Sequence, residues 1–259
     1  MPDYRTVAVA AAQQAGKIIA DAYRTDFQVY YKQGATTNLV TEVDRRSEAA
    51  IVEILSAAFP DHRILAEEGG EQARRDSPCR WIVDPLDGTT NFAHGYPAFC
   101  VSIGLEIDGR VVLGVVYDPL RGELFEAEAG KGAFLNAERI HVSTVASLNK
   151  ALLVTGFAYD RESRQRNLVN FSRFILETHG IRRSGSAALD LSYVAAGRVD
   201  GFWELKLSPW DVAAGSLIVI EAGGRVTDFA GRAFKSDGAQ TLATNGLIHQ
   251  EMVDVLTGR

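Results

Sequence analysis

The acidic residues of this sequence that could do chemistry fall into three short motifs, each next to a predicted helix or strand. Glu67 and Glu68 follow a short apolar stretch, Asp84 and Asp87 follow another, and Asp211 directly precedes an apolar segment. Carboxylate oxygens are the ligands that hard divalent cations prefer. If the fold brings the motifs together, they predict a metal centre.

The second motif, Asp84-Pro-Leu-Asp-Gly, carries the strongest signal. Pro85 favours an extended backbone at Asp84, and Asp87-Gly88 favours a turn, so the two carboxylates should lie close together. Two buried like charges are costly unless a cation lies between them. No lysine or arginine occurs between residues 81 and 109. A divalent ion is therefore the expected partner, and oxygen ligands favour Mg²⁺ or Mn²⁺ over zinc.

The residues that follow this motif could bind an anion. If a helix begins here, the N–H groups of Gly88, Thr89 and Thr90 have no intrahelical partner and could hold a phosphate. Metal ligands beside such a cradle suit the hydrolysis of a phosphate ester. The metal neutralises phosphate oxygens and lowers the pKa of a bound water, while the amides hold the phosphate in line.

Each acidic motif also has a purely structural interpretation. Asp84 and Asp87 could be turn residues, although the long pattern over 81–90 favours chemistry. Glu67-Glu68, taken alone, is better explained as a solvated pair. Asp211 could be only a helix N-cap, and Asp44 is an N-cap by default before a helix over 44–59.

Two tryptophans stand beside the acidic motifs. Trp81 precedes the second motif, and Trp210 precedes Asp211. Large aromatic side chains are highly buried on average. We expect both to pack in the core instead of serving as ligand platforms.

The periodicity of apolar residues predicts an α/β protein with an α+β amino-terminal half and an α/β carboxy-terminal half. We expect two subdomains, 1–148 and 149–259, with the site between them. The predicted amino-terminal elements are a helix at the start of the chain, a hairpin or loop over 30–44, a helix over 44–59, strands over 64–66, 81–83, 101–107 and 111–117 with Asp108-Gly109 as a hairpin turn, and a strand over 122–130. The predicted carboxy-terminal elements are strands over 151–155, 181–184 and 201–205, and helices over 161–178, 187–197 and 211–224, the last buried between layers.

Composition excludes some classes of partner. The 259 residues carry a net charge of −6, so the overall field attracts neither nucleic acid nor an anionic membrane. No apolar run is long enough to span a bilayer, and the amino terminus resembles a helix more than a signal peptide. Two cysteines cannot form a disulfide framework, which favours a reducing, cytoplasmic setting.

Taken in order, the motifs over 64–69, 81–92 and 209–215 resemble the three metal motifs of the inositol monophosphatase family. Further segments resemble its bacterial members, among them Thr155–Asp160, Ser184–Glu204 and Glu221–Gly224. The resemblance covers nearly the whole chain. The Asp-Pro-Leu-Asp-Gly-Thr-Thr-Asn-Phe stretch is specific to the wider superfamily of lithium-sensitive, magnesium-dependent phosphatases.

The resemblance implies a layered α/β/α/β/α sandwich of the sugar-phosphatase type, a homodimer, and two to three Mg²⁺ ions per site, with Mn²⁺ as a substitute. One metal would be held by Glu67, Asp84 and the carbonyl of Leu86. A second would be held by Asp84, Asp87 and Asp211, and Glu67 would also touch a third. The implied catalytic residues are Glu67, Thr89 and Asp44, with Thr89 orienting the attacking water.

The resemblance also implies how a substrate binds. The amides of Gly88 and Thr89 would hold the phosphate. The wall that contacts substrate hydroxyls would be formed by Asp87, Gly185, Ser186, Ala187, Glu204 and Asp211. One departure concerns Lys206, where many relatives have glycine. We expect this lysine to point into solvent, although it could alter selectivity.

The implied activity is hydrolysis of a small polyol or sugar phosphate, with inositol monophosphate as the leading substrate. Alternatives with the same chemistry are fructose 1,6-bisphosphate, 3′-phosphoadenosine 5′-phosphate, histidinol phosphate and NADP. A regulatory role through contact with transcription or ribosomal proteins is an alternative of another class. Neither direct nucleic-acid binding nor membrane binding is expected.

Overall fold

The computed structural model describes residues 2–31, 39–72 and 77–259. In this part of the chain there are seven α-helices and fifteen strands. The helices are α1 Tyr4–Ala22, α2 Glu42–Ala58, α3 Thr89–Ala93, α4 Arg161–Glu177, α5 Ala187–Ala195, α6 Pro209–Glu221 and α7 His249–Thr257. The strands are β1 Val29–Tyr31, β2 Leu39–Thr41, β3 Arg63–Ala66, β4 Gly70–Gln72, β5 Cys79–Asp87, β6 Cys100–Ile107, β7 Arg110–Asp118, β8 Glu123–Glu128, β9 Gly132–Leu135, β10 Glu138–Ile140, β11 Leu152–Thr155, β12 Gly180–Arg182, β13 Gly201–Leu205, β14 Arg225–Thr227 and β15 Gln240–Thr244.

The larger sheet has eight strands in the order β10-β9-β8-β7-β6-β5-β3-β4. Strands β5 to β10 run as an antiparallel meander, in which short turns join β6 to β10 and a longer connection that includes α3 joins β5 to β6. The turn between β6 and β7 has Asp108 and Gly109 at positive φ, as the Asp-Gly signal predicts. One pair, β3 with β5, is parallel. This parallel pair brings Glu67 beside the carboxyl end of β5.

The smaller sheet has five strands in the order β12-β11-β13-β15-β14. Strands β12, β11 and β13 are parallel, whereas β15 pairs antiparallel with both β13 and β14. Helix α4 connects β11 to β12 and α5 connects β12 to β13, since parallel neighbours need a crossover connection. The boundary expected between residues 148 and 149 falls between the two sheets, and the division into subdomains stays a prediction.

Three apolar cores stack the elements into five layers. The first lies between helices α1 and α2 and one face of the larger sheet. The second holds α5 and α6 between the two sheets. The third lies on the far face of the smaller sheet, under α4 and α7. The fold is thus the expected α/β/α/β/α sandwich, and α6, buried from Val212 to Val219, lies between the sheets as predicted.

Two glycines let α6 lie unusually close to the larger sheet. Gly104 of β6 and Gly114 of β7 are direct partners in the ladder. A Cβ atom added at Gly114 would lie 2.6 Å from the carbonyl oxygen of Ala214, and one added at Gly104 would lie 3.1 Å from the Cβ of Ala213. The small residues therefore set the depth at which α6, with Asp211 in its first turn, enters the site.

Several predicted boundaries were wrong. The strand predicted over 81–83 runs on through both carboxylates to Asp87, with an irregularity in its pairing between Asp84 and Asp87. The bend at Pro85 is absorbed as this irregularity, so the strand does not end. A hairpin or loop was predicted over 30–44; the antiparallel pairing of β1 with β2 favours the hairpin, and residues 32–38 of this stretch lie outside the described residues.

Other elements were not predicted. The helix α7 was not predicted, although it has an apolar face with Met252 and Val253 buried. The short strands β9 and β10 were missed too. Across the described residues, every helix is too short or too polar to span a bilayer.

Candidate active site

Three acidic side chains from distant parts of the sequence meet at one end of the larger sheet. Asp84 and Asp87 come from the end of β5, and Asp211 comes from the first turn of α6. One carboxylate oxygen of each lies within 4.8 Å of the others. In the part of the chain that the structure describes, none of the three forms an ion pair with lysine or arginine.

These carboxylates line a cavity of about 390 Å³ between the two sheets. Most of the residues predicted for the site line it, whereas Asp44 and Thr90 do not. The predicted residues in the lining are Glu67, Asp84, Leu86, Asp87, Gly88, Thr89, Gly185, Ser186, Ala187, Glu204 and Asp211. The fold thus brings the three motifs into one place, whereas their roles stay predictions.

Burial perturbs the acids strongly. Desolvation, followed by the repulsion of neighbouring carboxylates, raises the pKa of Asp84 and of Asp211 well above the usual range. Desolvation also raises the pKa of Asp87 to about 6, although hydrogen bonds from Ser186 and Ala188 oppose the shift. A cation placed among the three would remove most of this repulsion. Their oxygen-only donor set suits a hard divalent ion.

Specific hydrogen bonds hold the carboxylates of Asp84 and Asp87. Oδ1 of Asp84 accepts the main-chain N–H of Leu86 at 3.0 Å, across the irregularity in β5. Oδ2 of Asp87 accepts the Ser186 hydroxyl and the Ala188 N–H, both at 2.7 Å. These bonds orient one oxygen of each acid and leave the other for the cavity.

The same local motif places an aspartate at the start of α2 and of α6. The sequence offers Asp44 and Asp211 as N-caps of these helices. The N-caps in the structure are instead Thr41 and Ser208. Each aspartate lies three residues into its helix and accepts the main-chain N–H of the cap residue, at 2.8 Å from Thr41 and 2.6 Å from Ser208. The back-bonds fix the carboxylates near the site.

Asp44 reaches the cavity only through Thr89. The Thr89 hydroxyl lies 2.9 Å from Oδ1 of Asp44 and 3.1 Å from the carbonyl oxygen of Leu86. Since the hydroxyl has one hydrogen, it donates to one of these acceptors at a time. Burial raises the pKa of Asp44 to about 6. The Thr89 hydroxyl therefore links Asp44 to the cavity.

Gly88 and Gly156 are required by the shape of the site. Gly88 has φ +98°, and a Cβ there would lie 2.8 Å from the carbonyl oxygen of Ala98. Glycine therefore permits the step from β5 into α3, which begins at Thr89. A Cβ at Gly156 would lie within 2.4 Å of the carboxylate of Glu204, so Gly156 provides the space that this buried acid occupies.

Sequence reasoning missed one edge of the cavity. Gly156–Tyr159 after β11 and the buried Asp190 also line it, and so does Arg183, which lies close to the predicted wall in the sequence. The Tyr159 hydroxyl lies 3.4 Å from that of Thr90, so this segment reaches across to α3. The resemblance of Thr155–Asp160 to bacterial relatives was the available signal.

The interpretation of one tryptophan changes. Trp81 is buried in the core as predicted, but Trp210 is only half-buried and lines the cavity. Lys206 is exposed as expected, and at the rim of the cavity it also forms an ion pair with Asp160.

Comparisons with known proteins agree with this architecture. The model of the inositol monophosphatase family matches residues 2–256. The Inositol-1-monophosphatase of Synechocystis sp. is 53% identical over 232 residues, which are 88% of this chain and 80% of the relative. Nus factor SuhB of Escherichia coli is 47% identical over 226 residues, which are 87% of this chain and 85% of that protein.

Solved structures are similar over almost the full length. The extragenic suppressor protein SuhB from Bartonella henselae has a TM-score of 0.93 at 44% identity and covers 97% of both chains. The inositol monophosphatase from Anabaena has a TM-score of 0.88 at 46% identity and covers 98% of this chain and 95% of that chain.

Proposed function

Because the chain belongs to the inositol monophosphatase family and is a phosphatase of that kind, we propose that it hydrolyses a small polyol phosphate with Mg²⁺, and that myo-inositol 1-phosphate is its leading substrate. One observation carries the proposal: Asp84, Asp87 and Asp211 converge in a buried cavity without a lysine or arginine partner among the described residues. A cation bound among these carboxylates would make this acidic part of the cavity favourable for a phosphate dianion.

The donors present fit Mg²⁺, and Mn²⁺ as its substitute. Asp84 with Glu67 and the Leu86 carbonyl, and Asp84 with Asp87 and Asp211, supply two overlapping sets of oxygen ligands. Bound there, the ions would neutralise phosphate oxygens, lower the pKa of water and stabilise the leaving oxygen. Occupancy by a third ion, through Glu67, belongs to the same proposal.

Thr89 and Asp44 form a dyad that can position the attacking water. When Thr89 donates its hydrogen to Asp44, its oxygen is left as an acceptor facing the cavity. A water that donates to this oxygen is oriented with a lone pair toward phosphorus, and Glu67 is the second acceptor proposed for it. The amides of Gly88 and Thr89 are proposed to hold the phosphate.

The opposite wall offers acceptors for substrate hydroxyls. Glu204 is buried at the end of β13, and Asp87 and Asp211 present oxygens to the same cavity. The chain from Gly185 to Ala187 passes along this wall. A polyol has a hydroxyl donor on each carbon, so it can satisfy several of these acceptors, whereas an unsubstituted alkyl phosphate cannot.

A substrate panel with purified protein tests the proposal. We compare kcat/KM for inositol 1-phosphate, fructose 1,6-bisphosphate, 3′-phosphoadenosine 5′-phosphate, histidinol phosphate and NADP, with Mg²⁺, with Mn²⁺ and after chelation. Inositol 1-phosphate should be preferred, and turnover should vanish without a metal.

Asp84→Asn and Asp211→Asn should each lower turnover by orders of magnitude in the same assay. The matched control is Asp108→Asn, which removes one charge from an exposed hairpin turn at positive φ, where asparagine is favoured. Turnover of Asp84→Asn near that of the control would overturn the assignment.

A regulatory role is the second candidate, because relatives 46–48% identical to this chain carry the name Nus factor SuhB. Such a role would act through protein contact. It predicts that folded, inactive Asp84→Asn restores growth in a host that lacks its own copy. Failure of this variant, with rescue by Asp108→Asn, would exclude regulation without turnover.

The assembly and the setting belong to the same proposal. We expect a homodimer in the cytoplasm that binds neither nucleic acid nor membrane directly. Sedimentation equilibrium reports whether the protein is a dimer. A mobility-shift assay with RNA tests whether it binds nucleic acid directly. A monomer at all concentrations would contradict the first.

A further inference from the structure

An ion pair spans the rim of the candidate active site. Nζ of Lys206 lies 3.0 Å from Oδ2 of Asp160. Lys206 follows β13, two residues after Glu204, and lines the cavity. Asp160 follows the missed segment Gly156–Tyr159. The pair therefore joins the two chain segments that flank Glu204.

The backbone of Lys206 is fixed in an unusual conformation. Its φ is +63°, a left-handed value that lysine seldom adopts and that glycine adopts without cost. The N–H groups of Lys206 and Leu207 donate to the carbonyl oxygens of Ala239 and Gly238, each at 3.0 Å. The ammonium group is thus attached to a well-held point at the cavity rim. A strained residue in such a place suggests a functional role.

Asp160 is anchored independently of the lysine. Its Oδ1 accepts the N–H of Ser163 at 2.9 Å, which caps α4. The Lys206 side chain, in contrast, is 66% exposed. Ion pairs at such exposure contribute little, so the ammonium group can exchange Asp160 for another anion at low cost.

Charge is distributed unevenly in this cavity. Asp84, Asp87 and Asp211 are gathered at the metal end, whereas the cations Lys206 and Arg183 line the cavity together with the further acids Glu67, Asp190 and Glu204. Neither cation forms an ion pair with those three acids. A ligand whose first phosphate lies over the carboxylates could therefore meet a positive charge with a second anionic group.

We propose that Lys206 is a specificity-determining residue that receives a second phosphate on the substrate by exchanging Asp160 for it. The inference rests on the proposed function, because it places the scissile phosphate over the carboxylates. It refines the substrate class from polyol monophosphates to polyol phosphates with a further phosphate distant from the reacting one. Lysine suits this task as a flexible point charge.

The test is a ratio of two specificities. We measure kcat/KM for release of the 1-phosphate from inositol 1,4-bisphosphate and divide it by kcat/KM for inositol 1-phosphate. Lys206→Gly removes the ammonium group and suits the backbone, and should lower the ratio about three- to tenfold, as expected for one exposed charge contact. Asp160→Asn keeps an N-cap residue, frees the lysine and should raise the ratio.

The matched control is Lys131→Gly. Lys131 also has a side chain 66% exposed and pairs with a carboxylate, Glu128, but lies outside the cavity. It reports the effect of one lost positive charge on the whole protein. A ratio unchanged in Lys206→Gly, or lowered equally in Lys131→Gly, would overturn the proposal.

A binding measurement separates this proposal from the proposed function. Calorimetry with Mg²⁺ compares butane-1,4-bisphosphonate with butylphosphonate, neither of which can be hydrolysed at a phosphoester. If the protein turns over no phosphate, the proposed function fails, yet a bisphosphonate preference that is lost in Lys206→Gly still supports the role of Lys206. Turnover of inositol 1-phosphate together with equal binding of both phosphonates by the wild-type protein would reject that role alone.

Discussion

The carboxylates at the centre of the cavity favour function at the expense of stability. Desolvation and mutual repulsion raise the pKa of Asp84, of Asp87 and of Asp211, so the folded, metal-free protein resists their ionisation. Hydrogen bonds from main-chain N–H groups offset part of this cost. The residues needed for metal binding should therefore destabilise the protein when no metal is bound.

Asp84→Asn should separate stability from activity. The amide removes a buried charge, and its oxygen can still accept the N–H of Leu86. We expect the melting temperature of the metal-free protein at neutral pH to rise by several degrees, since about 1 kcal/mol shifts a chain of this size by about 2–4 °C. Calorimetry after chelation measures this. A lower melting temperature would contradict the electrostatic account, with Asp108→Asn as the control for a lost surface charge.

Gly156→Ala should displace Glu204 of the proposed substrate wall and leave Asp84, Asp87 and Asp211 in place. The added Cβ would lie within 2.4 Å of the Glu204 carboxylate, which is buried and cannot move freely. We expect kcat/KM for inositol 1-phosphate to fall by about tenfold or more, which corresponds to about 1.4 kcal/mol, mainly through KM.

Gly180→Ala is the matched control for Gly156→Ala, since a Cβ there has only ordinary contacts, the shortest at 3.5 Å. Mg²⁺-dependent stabilisation should be unchanged in both variants. Equal KM values in Gly156→Ala and the control would show that Glu204 does not contact substrate.

At this scale the sequence identified the acids and, through the resemblance, the wall of Gly185–Ala187 and Glu204, but not the edge at Gly156–Tyr159. Asp84 and Asp87 could be predicted because Pro85 and Gly88 restrict the backbone between them. Tyr159 and Arg183 carry no comparable local constraint. They reach the cavity only because β11 and β12 end beside it, and that juxtaposition depends on the pairing of strands distant in sequence.

Among the elements, the start of α6 depends on how closely this helix approaches the larger sheet. Asp211 lies in its first turn, three residues before Ala214, which lies against Gly114. The distance between helix and sheet therefore influences how Asp211 meets Asp84. The apolar run over 212–222 predicted a buried helix, but the sequence did not reveal that Gly114 sets its depth.

Gly114→Ala should push α6 outward. The new Cβ would lie 2.6 Å from a main-chain oxygen, which cannot rotate away as a side chain can. Overpacking of this kind costs about 1–3 kcal/mol. We expect a lower melting temperature and a higher Mg²⁺ concentration for half-maximal activity, measured with Gly180→Ala in parallel. A lower melting temperature with an unchanged Mg²⁺ dependence of activity would show that Asp211 keeps its position when α6 moves.

At the scale of the whole molecule, the site lies where α6 packs between the two sheets of the five-layered fold. The resemblance to the family implied these layers, whereas apolar periodicity predicted only elements within them: α1 and α2 each show one buried face, and α6 is apolar nearly all round. The helix α7 was the exception, since a short segment at the end of a chain gives a weak periodic signal. Assembly of the site is thus a property of the complete fold, and metal binding should be linked to global stability.

Metal-free stability and metal binding should respond to pH in opposite directions. Burial raises the pKa of Asp44 and of Asp87 from 3.8 to about 6, so the folded state favours their protonated forms. Their contribution to stability is present below the unfolded pKa and is lost as pH rises through about 6. Mg²⁺ binding needs the ionised ligands, so the rise in melting temperature that Mg²⁺ causes should be small at about pH 5 and large at about pH 8.

Titration of His249 makes the metal-free protein more stable as pH rises, which is opposite to the effect of Asp44 and Asp87. The two contributions must therefore be separated. Burial lowers its pKa to about 4, so its contribution is present above the unfolded value of 6.5 and is lost as pH falls toward 4. It lies between Thr227 and Thr244, away from the cavity, and is not linked to the metal. Subtracting the melting temperature of the chelated protein at each pH removes its contribution. An Mg²⁺-induced shift of equal size at every pH, or one retained in Asp84→Asn, would mean that these buried carboxylates do not bind the cation.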